Sequence, residues 1–287
     1  MKKTGGFRNP AAEKRYFAAY DRAMAECPVP DGVFNVATRH GVTRVYRYGG
    51  DGPPMALLPG LMATSACYAA LLPALAERHA VYAIDTLGEA GGSVQTAPFE
   101  DVRDRAAVLD DVFESLGLTA VHLVGGSTGG WHAVNQAIHA PGRLASLALL
   151  DATTVSAPFA REVFWYGAAA AVLDSERRWR RFLIWSAGED IFDQPAAQLV
   201  LAGIRSYRAR IPFQVRPSEE ALRSIELPTL ALFGGRSAVH DPAAAAARFA
   251  SLLPHADVEI LPGAGHYLYL RPEDRDLIID RLLKWAA

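Results

Sequence analysis

The sequence has few cysteines and almost no net charge, and both features exclude whole classes of protein. Only two of its 287 residues are cysteine, Cys27 and Cys67, which is too few for a disulfide framework and fits a reducing compartment. No Cys-x-x-Cys or His-Glu-x-x-His pattern is present, so neither a metal site nor a cofactor is predicted. The formal net charge of −2 argues against a nucleic-acid partner, which favours a basic surface.

Long apolar runs and targeting segments are also lacking. The N-terminus is basic, but no apolar segment follows it, so no secretory signal is predicted. The longest apolar tracts are too short, or too interrupted by charge, to span a bilayer. We therefore expect a cytoplasmic protein with no membrane partner. A composition of 51% apolar and 21% charged residues suits a globular chain with a sizeable core.

Strand-like and helix-like segments alternate along most of the chain. The pattern predicts a leading helix over residues 10–26 and then a hairpin around His40-Gly41. Buried strands are predicted at 55–58, 80–85, 120–124, 146–150, 229–233 and 256–261, and helices at 63–78, 102–116, 131–138 and 274–285. Apolar strands that alternate with helices indicate an α/β fold with a mostly parallel central sheet flanked by helices, with the hairpin as an antiparallel edge.

Residues 153–225 break this alternation with short helical segments that are rich in aromatic residues. We predict a helical cap inserted between two strands, which divides the chain into an N-terminal helical extension (1–30), a core (31–152 and 226–287) and the cap. Most cap aromatics are expected to pack the cap onto the core, and one or two to line a pocket. The basic run Glu176–Arg181 is expected to be a solvated helix face.

The most informative motif is Gly125-Gly126-Ser127-Thr128-Gly129, between an apolar, β-branched run and a helical segment. Strand, sharp turn and helix form the context of a nucleophile elbow, in which a strained turn exposes a serine and requires small neighbours. The glycines around Ser127 meet that requirement. The motif therefore predicts a nucleophilic serine at 127.

With this elbow, the chain from about residue 30 to its end resembles the α/β-hydrolase fold family. The leading helix and residues 84–89 resemble its bacterial carboxylesterase-like branch. The resemblance implies Ser127 as nucleophile and His266, which ends a Leu-Pro-Gly-Ala-Gly-His run, as its base. It also implies an oxyanion hole formed by the backbone N–H groups of Leu61 and Thr128, although Pro59 stands where the family usually has a histidine.

The acid of the implied triad departs from the family pattern, because Ser237 stands where the family has Asp or Glu. Two carboxylates could substitute for it. Asp241 precedes Pro242 and an alanine-rich helix, which is typical of a helix N-cap. Asp151 ends a predicted strand, and the carboxyl ends of neighbouring strands open on the same crevice. We favour Asp151 as the acid.

The resulting prediction is a serine hydrolase that acts on a carboxylic ester or thioester through an acyl-serine intermediate. Its substrate is expected to be a small molecule with an apolar acyl or alcohol part, and the candidate lining residues are Met62, Trp131, Phe159 and Trp165. One alternative is a non-hydrolytic enzyme of this fold, for acyl transfer, cyclisation, isomerisation or elimination. Another is a catalytically impaired, ligand-binding relative. The sequence leaves the substrate and the oligomeric state open.

Overall fold

A computed structural model describes residues 3–173, 175–269 and 271–286. Residues 1, 2, 174, 270 and 287, which belong to the predicted extension, cap and core, lie outside the described residues. The strands are β1 Gly6–Phe7, β2 Gly32–Thr38, β3 Gly41–Tyr48, β4 Pro54–Leu58, β5 Ala80–Ile84, β6 Val94–Gln95, β7 Val121–Gly126, β8 Leu144–Leu150, β9 Tyr207–Arg208, β10 Thr229–Gly234 and β11 Asp257–Leu261. The α-helices are α1 Pro10–Met24, α2 Leu72–Ala76, α3 Val102–Ser115, α4 Thr128–His139, α5 Arg161–Leu173, α6 Glu176–Ala187, α7 Pro195–Ser206, α8 Glu219–Arg223, α9 Pro242–Leu252 and α10 Pro272–Trp285.

The central sheet has the strand order β11-β10-β8-β7-β4-β5-β3-β2, with the short β6 paired to β3. From β11 to β5 all neighbouring strands run parallel. The β2–β3 hairpin is antiparallel, with Gly32 opposite Arg47 and Thr38 opposite Gly41. The predicted α/β class, with a mostly parallel sheet and an antiparallel edge, is confirmed.

Helices cover both faces of this sheet, because alternate residues of its buried strands point to opposite sides. In β4, Ala56 and Leu58 belong to one apolar cluster and Met55 and Leu57 to the other. Helices α3, α4 and α9 contribute to the first cluster, and α1, α2 and α10 to the second. The core therefore has three layers, helices, sheet and helices. The carboxyl ends of the parallel strands lie at one edge of the sheet, which these helices do not cover.

The single helix predicted over 63–78 is wrong. A 3₁₀ turn at Ser65–Tyr68 and the short α2 take its place. The backbone N–H and the hydroxyl of Ser65 both donate to Asp85 Oδ1, at 3.0 and 2.9 Å, so a long-range carboxylate shapes the turn. Pro73 lies in the first turn of α2, where its missing N–H is tolerated, whereas it would break a longer helix.

Between β8 and β10 the chain forms α5 to α8 and the short β9. Helices α6 and α7 share an apolar cluster of their own that includes Leu183, Phe192 and Leu201. Strand β9 pairs antiparallel with β1, with Gly6 opposite Arg208, which ties the N-terminal segment to the end of this insertion. The arginines at 177, 178, 180 and 181 are exposed, so the predicted solvated face of α6 is confirmed.

Three aromatic residues of α5 are exceptions to the prediction that most aromatics of the insertion pack onto the core. Phe164, Trp165 and Tyr166 are 56%, 77% and 46% exposed. Helix α5 packs mainly on α6 and leaves its other side uncovered. In the described residues, none of the helices combines the length and the apolar character that crossing a bilayer requires.

Candidate active site

Ser127 lies in the sharp turn between β7 and α4, with φ 53° and ψ −119°. A non-glycine residue rarely adopts a positive φ, and such strain is held only where the surroundings enforce it. Side chains on the adjacent glycines would not fit. A Cβ on Gly125 would meet the carbonyl oxygen of Gly129, and one on Gly129 would meet that of Leu58. The turn thus presents the partly exposed Ser127 at the carboxyl edge of the sheet.

Ser127, His266 and Asp151 form a continuous hydrogen-bonded chain. His266 Nε2 lies 2.8 Å from Ser127 Oγ, and His266 Nδ1 lies 2.6 Å from Asp151 Oδ2. His266 follows β11 and Asp151 follows β8, two parallel strands with only β10 between them, so their carboxyl ends bring the two side chains together at one edge of the sheet. With Nδ1 protonated toward the carboxylate, Nε2 is left to accept the hydroxyl proton of Ser127.

The Asp151 carboxylate is fully buried and accepts four hydrogen bonds. Its Oδ2 also accepts the hydroxyl of Ser237 at 2.7 Å, and Oδ1 accepts the backbone N–H of Gly234 at 3.0 Å and His240 Nε2 at 3.2 Å. Burial alone would raise the pKa of Asp151, but the hydrogen bonds from His240 and His266 hold it far below its usual range. The carboxylate therefore stays ionised beside the imidazole.

Asp241, the other candidate acid, has no contact with this chain of side chains. Its Oδ1 accepts the backbone N–H of Ala244 at 3.0 Å, so it is the N-cap of α9, as its sequence context suggested. Ser237, at the position where the family has a carboxylate, contacts the relocated acid instead of replacing it.

The loop after β4 runs beside the nucleophile. A Cβ built on Gly60 would lie 3.3 Å from Ser127 Cβ and 3.7 Å from its Oγ, so the loop backbone approaches the serine closely. In the part of the chain that the structure describes, the backbone N–H of Leu61 has no hydrogen-bond acceptor. Thr128 is the first residue of α4, where helical N–H groups have no intrahelical partner. Leu61 thus follows a residue that approaches Ser127, Thr128 follows Ser127 itself, and both N–H groups have no acceptor among the described residues.

The predicted lining residues lie in different surroundings. Met62 is buried in the loop after β4, with φ 57°, and Phe159 is half-buried with its ring 6.1 Å from that of Phe164. The prediction that Trp131 lines the pocket is wrong, because its ring is 1% exposed in the core and its indole N–H donates to the carbonyl of Val215 at 2.9 Å. Trp165 lies on the surface of α5 and is 77% exposed.

Sequence reasoning missed two contributors to the site, His240 and Gly234. No spacing rule links either residue to Asp151, since the contacts cross from the end of β10 to the end of β8. The only available signal was that two polar residues, Ser237 and His240, come shortly after a buried strand. Among the described residues, no group of three or more His, Cys, Asp or Glu is placed to hold a metal ion.

Comparison with known proteins agrees with this geometry. Residues 55–275 match the profile of the alpha/beta hydrolase family. The carboxylesterase YbfK of Bacillus subtilis strain 168 is 31% identical over 282 residues, which cover 95% of this chain and 94% of that protein. Its crystal structure, as carboxylesterase CesB, has a TM-score of 0.86 over 96% of this chain and 98% of that chain, at 29% identity.

A second solved structure, the naproxen esterase (carboxylesterase NP) from Bacillus subtilis, has a TM-score of 0.88 at 26% identity. The superposition covers 98% of this chain and 100% of the esterase chain. The two similarities extend over nearly the whole length of each protein, so the insertion and the leading helix are shared as well as the core. The chain therefore belongs to the α/β hydrolase family, as an esterase-type enzyme of its bacterial carboxylesterase branch.

Proposed function

We propose that this protein hydrolyses small carboxylic esters, and thioesters by the same chemistry, through an acyl-serine intermediate. The observation that carries the proposal is the chain from Ser127 Oγ to His266 Nε2 at 2.8 Å and from His266 Nδ1 to Asp151 Oδ2 at 2.6 Å. Serine is a weak nucleophile until an adjacent base takes its proton, and this arrangement supplies the base and its orienting carboxylate.

In the acylation step, Ser127 Oγ attacks the substrate carbonyl carbon while His266 Nε2 accepts the hydroxyl proton. The carbonyl oxygen becomes an oxyanion, which the N–H groups of Leu61 and Thr128 stabilise. His266 then donates the proton to the leaving alcohol or thiol as the bond to the carbonyl carbon breaks. Asp151 stabilises the imidazolium throughout, because it is ionised and buried against Nδ1.

In the deacylation step, His266 removes a proton from water, and the resulting hydroxide attacks the acyl carbon. The second oxyanion collapses, the bond to Ser127 Oγ breaks, and the serine regains its proton from His266. The carboxylic acid leaves, and no redox partner or cofactor takes part in the cycle.

We assign residues 153–225 as the cap that selects the substrate. Its first residues follow Asp151 along the chain. The rings of Phe159 and Phe164 lie 6.1 Å apart near the start of this insertion. The exposed apolar side chains of α5 suit an apolar acyl or alcohol part better than a charged one. The names carboxylesterase and naproxen esterase for two similar proteins support an ester as the substrate class.

The alternatives of a non-hydrolytic enzyme or an impaired, ligand-binding relative rested on the missing acid at Ser237. The contact of Asp151 with His266 removes that reason to prefer them. The remaining distinction is chemical, because water must be the final acyl acceptor if hydrolysis is correct.

A panel of p-nitrophenyl esters of increasing acyl length tests the proposal. The wild-type protein is expected to release p-nitrophenol with turnover, and Ser127→Ala to lose at least about three orders of magnitude in kcat. Product analysis should find the free acid and one oxygen from labelled water. Turnover in Ser127→Ala at the wild-type rate, or an acyl product transferred to another acceptor with no free acid, contradicts it.

A further inference from the structure

A buried ion pair lies behind the loop after β4, and none of the proposed chemical steps uses it. Glu89 and Arg105 are 1% and 5% exposed, and Arg105 Nη2 lies 2.8 Å from Glu89 Oε1. The other carboxylate oxygen, Oε2, accepts the backbone N–H of Met62 at 2.7 Å. A charged pair is costly to bury, so its second contact, with the backbone next to Leu61, points to a role beyond packing.

Residues 60–63 form a tight turn in which the N–H of Ala63 donates to the carbonyl of Gly60 at 3.0 Å. Met62 is the third residue of this turn and has φ 57°, the left-handed region that a type II turn demands of that position. Glycine usually occupies such a position, and a methionine there is strained. A strained turn residue needs an external contact to stay in place, and Glu89 supplies it through the Met62 N–H.

The turn matters because Leu61 is its second residue. Gly60 brings the turn against Ser127, with the position of a Cβ on Gly60 only 3.3 Å from Ser127 Cβ. If Met62 relaxed to a negative φ, the preceding peptide units would rotate and the Leu61 N–H would turn away from the serine. Catalytic donors must be held close to their productive geometry to be effective.

The surroundings of Glu89 keep it ionised and fixed. Burial alone would raise the pKa of Glu89, but the charge of the Arg105 guanidinium and the hydrogen bond from the Met62 N–H hold it below its usual range. Burial and the charge of Arg105 lower the pKa of His132 to about 4, so this histidine is neutral near pH 7. Its Nε2 lies 3.9 Å from Glu89 Oε1, beyond hydrogen-bond distance.

A small cavity adjoins Arg105, with about 30 Å³ of space for water-sized molecules. Its lining includes four residues that each have a buried polar atom with no partner in the described part of the chain, at Arg105 Nη1, His132 Nε2, Thr43 Oγ1 and Thr86 Oγ1. A cavity of this size and polarity suits bound water, which satisfies such atoms, rather than an apolar ligand. Water here would complete the hydrogen bonding of Arg105 while its other nitrogen stays on Glu89.

We propose that Glu89 is a positioning residue for the oxyanion hole: with its charge balanced by Arg105, it holds the Met62 N–H and so fixes the turn that aims the Leu61 N–H at the site. This inference rests on the proposed ester hydrolysis. The buried ion pair lies on the far side of the loop and does not contact the substrate. It contributes to transition-state stabilisation by holding the Leu61 N–H in position.

The test compares two double variants that remove the same charges and differ only in the acceptor for Met62. Both carry Arg105→Met, so that no unpaired guanidinium is left buried. One carries Glu89→Gln, which keeps an amide oxygen within reach of the Met62 N–H, and the other carries Glu89→Leu, which does not. Thermal unfolding of both variants shows whether they are folded to the same extent.

We expect the leucine variant to have a kcat at least about tenfold below that of the glutamine variant, because misplacing an oxyanion donor slows the chemical step. KM should differ by less than about threefold, since substrate contacts are unchanged. A merely structural role would lower the stability of the two variants without this split. Equal kcat values in the two folded variants overturn the inference.

Amide hydrogen exchange, followed residue by residue by NMR in the wild-type protein, tests the same contact without catalysis. The Met62 amide should exchange far more slowly than the free amide of Leu61 beside it. Comparable rapid exchange at both positions overturns the inference, even if the leucine variant fails to fold. Slow exchange at Met62 in a protein that hydrolyses no ester would instead contradict the proposed function and leave the positioning contact standing.

Discussion

At the acid position, the residue that the family pattern indicates is not the residue that the structure places beside His266. The carboxylate beside His266 comes from the end of β8, while Ser237, after β10, keeps a supporting place by donating to that same carboxylate. Asp151 itself has φ 48°, so its backbone is held in the left-handed region, as is that of Ser127. Two strained residues at neighbouring strand ends indicate that the fold enforces this geometry.

Replacing Asp151 by asparagine is expected to lower kcat by about four orders of magnitude. The amide can present an N–H to His266 Nδ1, which selects the tautomer that cannot accept the Ser127 proton. Steady-state hydrolysis of a p-nitrophenyl ester measures the loss, and circular dichroism checks that the variant is folded. Hydrolysis at more than about a tenth of the wild-type rate would show that the carboxylate is dispensable.

The sequence predicted Ser127 and His266 because each belongs to a local motif of a few residues. It left Asp151 and Asp241 as alternatives, since choosing between them requires distances across strands that are far apart in the chain. The role of His240 could not be predicted for the same reason. Trp131 follows the elbow closely in the sequence, but the helix that carries it turns its ring into the core, and that orientation depends on tertiary packing.

At the scale of elements, long segments with a clear period were predicted to within a few residues. The strands β4, β5, β7, β8, β10 and β11 and the helices α1, α3 and α10 appear where the pattern placed them, although β11 is a largely exposed edge strand. The failure at 63–78 arises from a side-chain contact, Ser65 with Asp85, that no local propensity encodes. The exposure of α5 depends on which neighbours cover it, and that is a tertiary property.

The N-terminus of α9 offers a matched control for the acid assignment. Replacing Asp241 by alanine removes the cap bond to the Ala244 N–H and is expected to cost about 0.5–2 kcal/mol of unfolding free energy. Urea unfolding measures this loss. Activity of the folded protein should stay within about twofold of wild type, since Asp241 has no contact with His266. Loss of hydrolysis in this variant, together with an active Asp151→Asn variant, would show that Asp241 and not Asp151 is the acid of the site.

At the scale of the whole molecule, the fold gathers its functional groups at one edge of the sheet. Each proposed group follows a different strand: Leu61 after β4, Ser127 after β7, Asp151 after β8, Ser237 after β10 and His266 after β11. Positive φ values at Met62, Ser127, Asp151 and Thr154 concentrate at this same edge. The parallel core therefore holds several residues at this edge in strained backbone conformations. Such strain lowers local stability and is common at active sites, where it fixes the geometry of the functional groups.

Acid should destabilise the whole protein in two steps. The pKa of His132 falls from its ordinary value of 6.5 to about 4 on folding, so its contribution to stability is present above 6.5 and is lost as the pH falls toward 4. The pKa of Asp151 is far below its usual range, so its contribution is present above its unfolded pKa and is lost at still lower pH.

Thermal unfolding between pH 7 and pH 3 measures both losses. The wild-type Tm should fall with decreasing pH, and the gap in Tm between wild type and Asp151→Asn should narrow below about pH 4, where the unfolded aspartate takes up its proton. A gap that stays constant or widens toward pH 3 would mean that Asp151 is not held ionised by the fold.

The most direct test of the central claim is a pre-steady-state burst with p-nitrophenyl acetate, followed by intact-protein and peptide mass analysis of the quenched reaction. One equivalent of p-nitrophenol is expected before steady turnover, with a single acetyl group on Ser127. In Asp151→Asn the acetylation should be slowed by orders of magnitude, and in Ser127→Ala it should be absent. Acetyl transfer to any other residue as the productive intermediate, or hydrolysis by a folded Ser127→Ala protein at the wild-type rate, would contradict it.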